Sequence, residues 1–309
     1  MSASWSRFSV FYLLTFLLLA AIPLIYSAVA AGPMDFSAVG DRASAQTGLA
    51  WTSNILVVVR LCLAEPLLWL MVFGSAVPSI AAILVCMRNP QRLRALFARF
   101  AIRLPWREAA RIYAFIFFIM LSGLVVVYLL RGMLPGPEYA QADGIIGPGL
   151  VLLLFAAAFL DQGAVLEELG WRGFAHHELQ SGLLNPLAAA ITVGIIWGLW
   201  HVPRDVTSGV IERLGWFQYL CLYLPSFLLG TVTTSIIAAY FVNRCHGSLI
   251  PAIMVHGLSN DSVGLSGLAN MEQALSPYHQ FTKALPFVLI SIAILYFAGK
   301  QLGLRADSR

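Results

Sequence analysis

Two adjacent glutamates, Glu167 and Glu168, stand in the run AVLEELGWRGFAHHE (164–178), with Arg172, His176, His177 and Glu178 close behind them. The run follows the apolar stretch Gly149–Leu160 directly. Ionisable side chains at the end of a membrane-grade segment are costly to keep, which marks them as candidates for function. Further along stand His201, ending GIIWGLWHVP, and His256 with Asn260 in HGLSN. A carboxylate and two histidines in a protected cavity suit activation of water for hydrolysis, with Glu167 as general base. His256 and Asn260 are then the donors to an oxyanion. The histidines and a glutamate equally suit a His2Glu zinc set. No HExxH occurs in the chain, which excludes a zincin arrangement as a local motif.

At 100° per residue on a continuous helix, Asp161, Glu168 and Arg172 fall on one stripe, and Glu168–Arg172 is an i,i+4 pair of opposite sign. Such a pair compensates charge inside an apolar bundle. Glu167 points away from it, onto the side of Gly163 and Gly170, where small residues admit a close neighbour. This reading leaves Glu167 free for chemistry and makes Glu168 structural or orienting. His201 shares a face with Gly194, Trp197 and Gly198, while Ser248, Ala252, His256, Asn260 and Gly264 recur at steps of four. His256 and Asn260 therefore lie one turn apart. With turns at Ser181–Asn185, straight antiparallel helices would place Glu167 and His201 both roughly 20–24 Å from the turn.

The elements that must hold these groups are membrane helices. Of 309 residues, 59% are hydrophobic and 11% charged, far from the roughly one quarter charged of a soluble domain. Apolar runs approach the roughly 20 residues that span a bilayer. They predict an all-α, polytopic membrane protein of about eight spans, with the site inside the bundle and no separate soluble domain in 1–309. The spans are Ser9–Ala31, Leu67–Met87, Ile112–Leu130, Pro148 to about Gln180, Leu187–His201, Phe217–Val242, Leu249–Gly267 and Leu285–Gly299. Ile55–Leu63, interrupted by Arg60 and followed by Glu65-Pro66, reads as an interfacial or re-entrant piece. The first run ends in Ala28-Val29-Ala30-Ala31, which also fits a signal-peptidase site, but its length favours a retained helix.

The segment 88–111 carries seven arginines against Glu108 alone. It reads as a basic cytoplasmic loop rather than a nucleic-acid site, with Leu93, Leu96, Phe97 and Phe100 on a surface-lying helix. Counting spans from it puts both termini in the cytoplasm. His176, His177 and Glu178 are expected at the wet end of the fourth helix. Asp205, His246, Asp261 and His279 read as loop or helix-end residues, and Trp106, Trp200 and Trp216 as interface anchors. The four cysteines, Cys62, Cys86, Cys221 and Cys245, show no CxxC or finger spacing, so neither a disulfide frame nor a thiolate zinc site is indicated.

EELGWRG (167–173), WGLWH (197–201) and HGLSN (256–260) resemble, in order and on successive helices, the motifs EExxxR, FxxxH and HxxxN of the CAAX prenyl protease and bacteriocin-processing (Abi) family of intramembrane endopeptidases. The resemblance covers a core of 148–267. It implies that Glu167 and His201 activate the water, that His256 and Asn260 hold the oxyanion, and that Glu168 and Arg172 support the site. It also implies a peptide or lipidated protein tail as substrate, with membrane lipids around it. The cofactor stays open: zinc or another divalent metal on Glu167, His201 and His256, or a metal-free mechanism, which fits equally. Trp197 stands where the family usually has Phe, which bears on pocket shape rather than chemistry. Two other functions share these residues. A proton-coupled transporter would use Asp161, Glu167 and His201 as a relay, although no inverted repeat is visible. A non-catalytic immunity or scaffold member would keep only the fold.

Overall fold

The computed structural model of the chain describes residues 3–30, 34–50, 52–133, 148–182, 184–207, 209–260 and 275–304. It is an all-α bundle. Among the described residues the only extended pairing is an isolated antiparallel bridge between Asn54 and Asp161. The chain opens with α1 (Ala3–Ala30), followed by the short α2 (Phe36–Thr47) and α3 (Ile55–Ala64). Then come α4 (Leu68–Cys86), α5 (Pro90–Phe97) and α6 (Trp106–Met133). Asp35, Asn54 and Asn89 cap the first turns of α2, α3 and α5 through their side-chain oxygens, each satisfying orphan helix amides.

The fourth predicted span is not one helix. It runs as α7 (Pro148–Leu160), α8 (Gln162–Glu168), a π-helical stretch (Leu169–His176) and α9 (His177–Gln180). The break is at Asp161, whose backbone turns extended (ψ 123°) and whose Oδ1 caps the amide of Ala164 at 2.7 Å. The freed amide of Gln162 donates to the Ser53 carbonyl at 2.7 Å. Backbone at membrane depth must be satisfied by protein, and here the chain just before α3 does it. Asp161 thus leaves the stripe of Glu168 and Arg172, because the uniform 100° step ends at the break.

The second half holds α10 (Pro186–Trp200), α11 (Val202–Thr207), α12 (Val210–Gln218), a π turn (Tyr219–Tyr223) and α13 (Leu224–Arg244), then α14 (Ile250–Asn260) and α15 (Pro277–Ala298). Six stretches of the described chain are long and apolar enough to cross a membrane, namely Ser4–Ala30, Leu68–Cys86, Trp106–Val127, Pro186–Thr207, Val210–Arg244 and Pro277–Gln301. The protein is therefore multi-pass, and the described residues do not confirm the count of eight. The fourth expected span is interrupted at Asp161, and the described part of the seventh is the 11-residue α14. Its continuation to Gly267, with Asp261 and Gly264, lies outside the described residues, as does 134–147. α6 runs on past the expected span end at Leu130 to include Arg131. The re-entrant candidate is α3, whose ten residues are too few to span.

Two apolar cores flank the broken helix. One gathers Ile116, Met120, Ile237, Met254, Val255 and Phe287 from α6, α13, α14 and α15. The other gathers Phe11, Ala82, Trp171, Phe174, Val193 and Trp197 from α1, α4, the π stretch and α10. Glycines set the closest approaches. Gly194 and Gly198 lie against Val232, Leu228 and Thr231 of α13, and Gly170 lies against Pro78 of α4. These small faces admit a close neighbouring helix, as expected of the sequence for Gly170, and on α10 Gly194 and Gly198 do the same. Gly257 is the tightest, because a Cβ there would overlap the Ala157 carbonyl.

The basic segment forms α5 and a short 3-10 turn, Ala98–Phe100. Leu96 is buried against the second core, Leu93 packs at its edge, and Phe97 and Phe100 stay exposed. Burial, with Arg103 beside it, pushes the Arg99 guanidinium down to about 10. The expected wet end of the fourth helix is corrected: His176 and Glu178 are buried. Glu178 accepts from Arg7 at 2.7 Å and from Arg92 at 3.4 Å. Those arginines come from α1 and α5, which cover the helix end. Trp200 is buried too, whereas Trp106 and Trp216 are exposed as interface anchors should be. All four cysteines are free.

Gly257→Ala is expected to lower the melting temperature in detergent by overpacking α14 on α7, a cost of about 1–3 kcal/mol. An unchanged melting temperature would show that the two backbones can part.

Candidate active site

Glu168 is fully buried, and its Oε1 accepts from Arg172 at 2.7 Å and from the Nδ1 of His256 at 2.8 Å. The Arg172 pair is the i,i+4 contact expected of the sequence. His256 is an addition that spacing along one helix cannot reveal, since α14 supplies it. Nδ1 is assigned as the donor because its partner is a carboxylate oxygen. Glu168 thereby fixes the ring of His256, as an orienting carboxylate does. Among the described residues, Glu168 Oε2 and Arg172 Nε and Nη2 are buried without a hydrogen-bond partner. Such unsatisfied groups are rare in native cores and cluster where function requires them.

Glu167 is 5% exposed. Its Oε2 accepts from the indole nitrogens of Trp197 at 2.8 Å and Trp171 at 3.3 Å. The carboxylate is therefore held on one oxygen rather than standing free. Its Oε1 faces Gly163: a Cβ on that glycine would lie 3.2 Å from Oε1 and 3.3 Å from both Asn260 Nδ2 and Asp161 Oδ1. Asn260 donates from that Nδ2 to Asp161 Oδ1 at 3.3 Å. Asn260 thus turns towards the break in the fourth helix, and Asp161 joins the site as its partner.

Trp197 is the common neighbour of the group. Its ring lies 4.7 Å from that of His256 and 6.0 Å from that of His201, and the Arg172 guanidinium stacks over it at 4.6 Å. The cationic stack and the edge contacts each add modestly to packing. A phenylalanine could fill this space but could not donate to Glu167. The departure from the FxxxH pattern therefore bears on chemistry, not only on pocket shape. His201, the C-cap of α10, donates from Nδ1 to the Trp197 carbonyl at 2.8 Å. That leaves Nε2 of the neutral ring as an acceptor.

Beyond His201 lies a network the sequence did not disclose. Asp205 is fully buried, accepting from Arg204 at 2.6 and 2.9 Å and from the Tyr219 hydroxyl at 3.1 Å. Tyr219, Tyr223 and Phe227 stack in succession, and Phe227 meets the ring of His201 at 5.1 Å. The i,i+4 spacing of the three aromatics was a usable signal. Asp205 gave none, because its tyrosine partner lies 14 residues away. Among the described residues, no group of three His, Cys, Asp or Glu side chains is placed to share a metal ion. Glu167, His201 and His256 surround Trp197 without forming a ligand set, so no step is derived through a metal.

The fold and the site define a class: a multi-pass helical membrane protein with a buried cluster of carboxylate, histidine and asparagine groups. Residues 145–261 match the family described as type II CAAX prenyl endopeptidase Rce1-like. A curated CAAX prenyl protease 2 from Methanococcus maripaludis is 33% identical over 153 residues, 48% of this chain and 49% of that protein. The alignment thus spans about half the length of the curated relative. In this stretch, and in its three motifs, the chain is similar to the Rce1-like CAAX prenyl endopeptidases.

Trp197→Phe keeps the ring and removes the donor to Glu167. A hydrogen bond to a charged group is worth about 1.5–3 kcal/mol, so activity on any cleaved reporter is expected to fall by about tenfold or more, with the protein still extracted as a folded species. Full activity in this variant would remove Trp197 from any role beyond packing.

Proposed function

We propose that the chain is an intramembrane endopeptidase that hydrolyses a peptide bond in the tail of a membrane-associated polypeptide. The relative's name points to prenylated tails as the substrate class. The observation that carries the reading is the convergence of Glu167, His201 and His256 on one tryptophan, with Asn260 turned to the free side of the Glu167 carboxylate.

In this reading Glu167 takes a proton from water while Trp171 and Trp197 hold Oε2. Nε2 of His201 accepts from the same water and orients it. The hydroxide attacks the scissile carbonyl carbon, and the oxyanion receives hydrogen bonds from Asn260 Nδ2 and His256 Nε2. His256 can donate there only as an imidazolium, since its other nitrogen is engaged by Glu168. The negative charge of Glu168 stabilises that form, as a buried carboxylate does for a catalytic histidine. Collapse of the intermediate breaks the C–N bond, and Glu167 returns its proton to the leaving amine. The protein's part is to preorganise these dipoles where water is largely excluded.

A general base contributes about 10²–10⁴-fold. Glu167→Gln is therefore expected to lower kcat on a reporter tail by that order, with the protein still extracted as a folded species. Retained cleavage would remove Glu167 as the base. Hydrolysis is also expected to continue after exhaustive chelation, with purified protein holding less than one divalent ion per chain. Activity that disappears on chelation and returns with zinc would overturn the metal-free mechanism.

A further inference from the structure

The arginine-rich segment is pinned to the bundle at the turn after α13. The Leu249 amide, just before α14, donates to the Arg99 carbonyl at 2.8 Å. Arg103 donates from Nη1 to the His246 carbonyl at 3.2 Å and from Nη2 to the Ala98 carbonyl at 3.1 Å. Between these contacts stands Gly247, whose φ is +81°, and a Cβ on it would lie 3.0 Å from Arg99 Nη1 and 3.9 Å from Arg103 Nη1. Two guanidinium groups thus converge on one bare glycine. Like charges so placed call for a counter-charge, and the protein supplies little. The one carboxylate within 88–111 is Glu108, and Glu178, which reaches the segment from α9, is taken by Arg7 and Arg92. Among the described residues, Arg99 Nε is buried without a hydrogen-bond partner. A cationic group kept from water and left unpaired is costly, so an anion at this point would be stabilising.

The surroundings select the carrier of that anion. Phe97, Phe100, Ile102 and Trp106 stand between the arginines and are 39–73% exposed. The Arg107 guanidinium lies 5.8 Å from the centroid of the Trp106 ring. A free inorganic anion gains nothing from such side chains, and a soluble acidic partner would leave them in water. A phospholipid uses both sets: its phosphate takes the guanidinium forks, and its acyl chains meet the apolar residues. Orientation in the membrane explains why arginines are numerous here, but Arg88 and Arg94, which are simply exposed, would serve it as well. It does not explain why Arg99 and Arg103 are brought together.

We propose that Arg99 and Arg103, at Gly247, form a binding site for the phosphate of an anionic phospholipid, with Phe100 and Ile102 against its acyl chains. The site is separate from the Glu167 cluster and does not rest on the endopeptidase reading. To test it, the full chain in a non-ionic detergent is titrated with dioleoylphosphatidylglycerol, with dioleoylphosphatidylcholine in parallel, and bound lipid is read by native mass spectrometry. Phosphatidylglycerol is expected to bind about tenfold more tightly than phosphatidylcholine. Arg99→Gln and Arg103→Gln are each expected to weaken phosphatidylglycerol binding by about tenfold, the loss of a hydrogen bond to a charged group. Arg88→Gln removes the same charge from an exposed position and is expected to change binding by less than about twofold. Arg103 also braces the turn after α13, so if its variant fails to fold the comparison rests on Arg99→Gln, whose Nε has no partner to lose. The proposal is overturned if the two lipids bind alike, or if Arg99→Gln binds as the unaltered chain does. It is overturned equally if Arg88→Gln costs as much as Arg99→Gln, which is the mark of diffuse charge attraction. Displacement of the lipid by millimolar inorganic phosphate would assign the site to the free anion and overturn the lipid as its occupant.

Discussion

A carboxylate with no exposure to solvent in an apolar bundle must be matched by opposite charge and hydrogen bonds, or it would not remain ionised. Glu168 meets that condition with two partners on a single oxygen, one from its own helix and one from α14. The arrangement depends on close backbone approach, which is why Gly257 packs against Ala157. It also depends on the π stretch that begins at Leu169, which changes the phase of everything beyond the glutamates. Local π turns of this kind recur at functional sites because they re-aim side chains without ending the helix. Removing one member of a buried charged group costs about 3–5 kcal/mol, so Glu168 fastens the two apolar cores as firmly as it orients His256.

Trp197 ties that electrostatic centre to the Glu167 carboxylate. The same ring receives the Arg172 guanidinium on its face, touches both histidines, and gives its N–H to Glu167. A residue of this size, nearly free of solvent, leaves its neighbours few alternative rotamers. Rigid support of this sort keeps catalytic groups at productive distances. A tryptophan in place of the more usual phenylalanine therefore adds a polar tether to what would otherwise be a packing contact.

What the sequence disclosed were relations carried by one helix at a time. Glu168 and Arg172 paired as their spacing required, even though the π stretch begins between them at Leu169. The helical class and most span positions followed from apolar runs that need no partner to be recognised. The failures have a common origin in contacts between distant segments. Glu178 looked solvent-bound because Arg7 lies 171 residues away. Asp161 looked like part of a continuous stripe because the Ser53 carbonyl that permits the break belongs to another part of the chain. Glu167 looked unencumbered because Trp197 reaches it from α10. Asp205 looked like an ordinary loop residue because its tyrosine is on a later helix.

The interruption at Asp161 bears on how the protein is made. An isolated span with a broken ladder would carry an unsatisfied amide into lipid, where each such group costs several kcal/mol. The residues that relieve it, Ser53 and Asn54, precede it by more than a hundred positions, so they have left the ribosome well before α7 and α8 emerge. The early part of the chain thus acts as a template on which the broken helix completes its insertion. A protein assembled in this order has its buried carboxylate–histidine cluster finished late, after the scaffold around it is already in the bilayer.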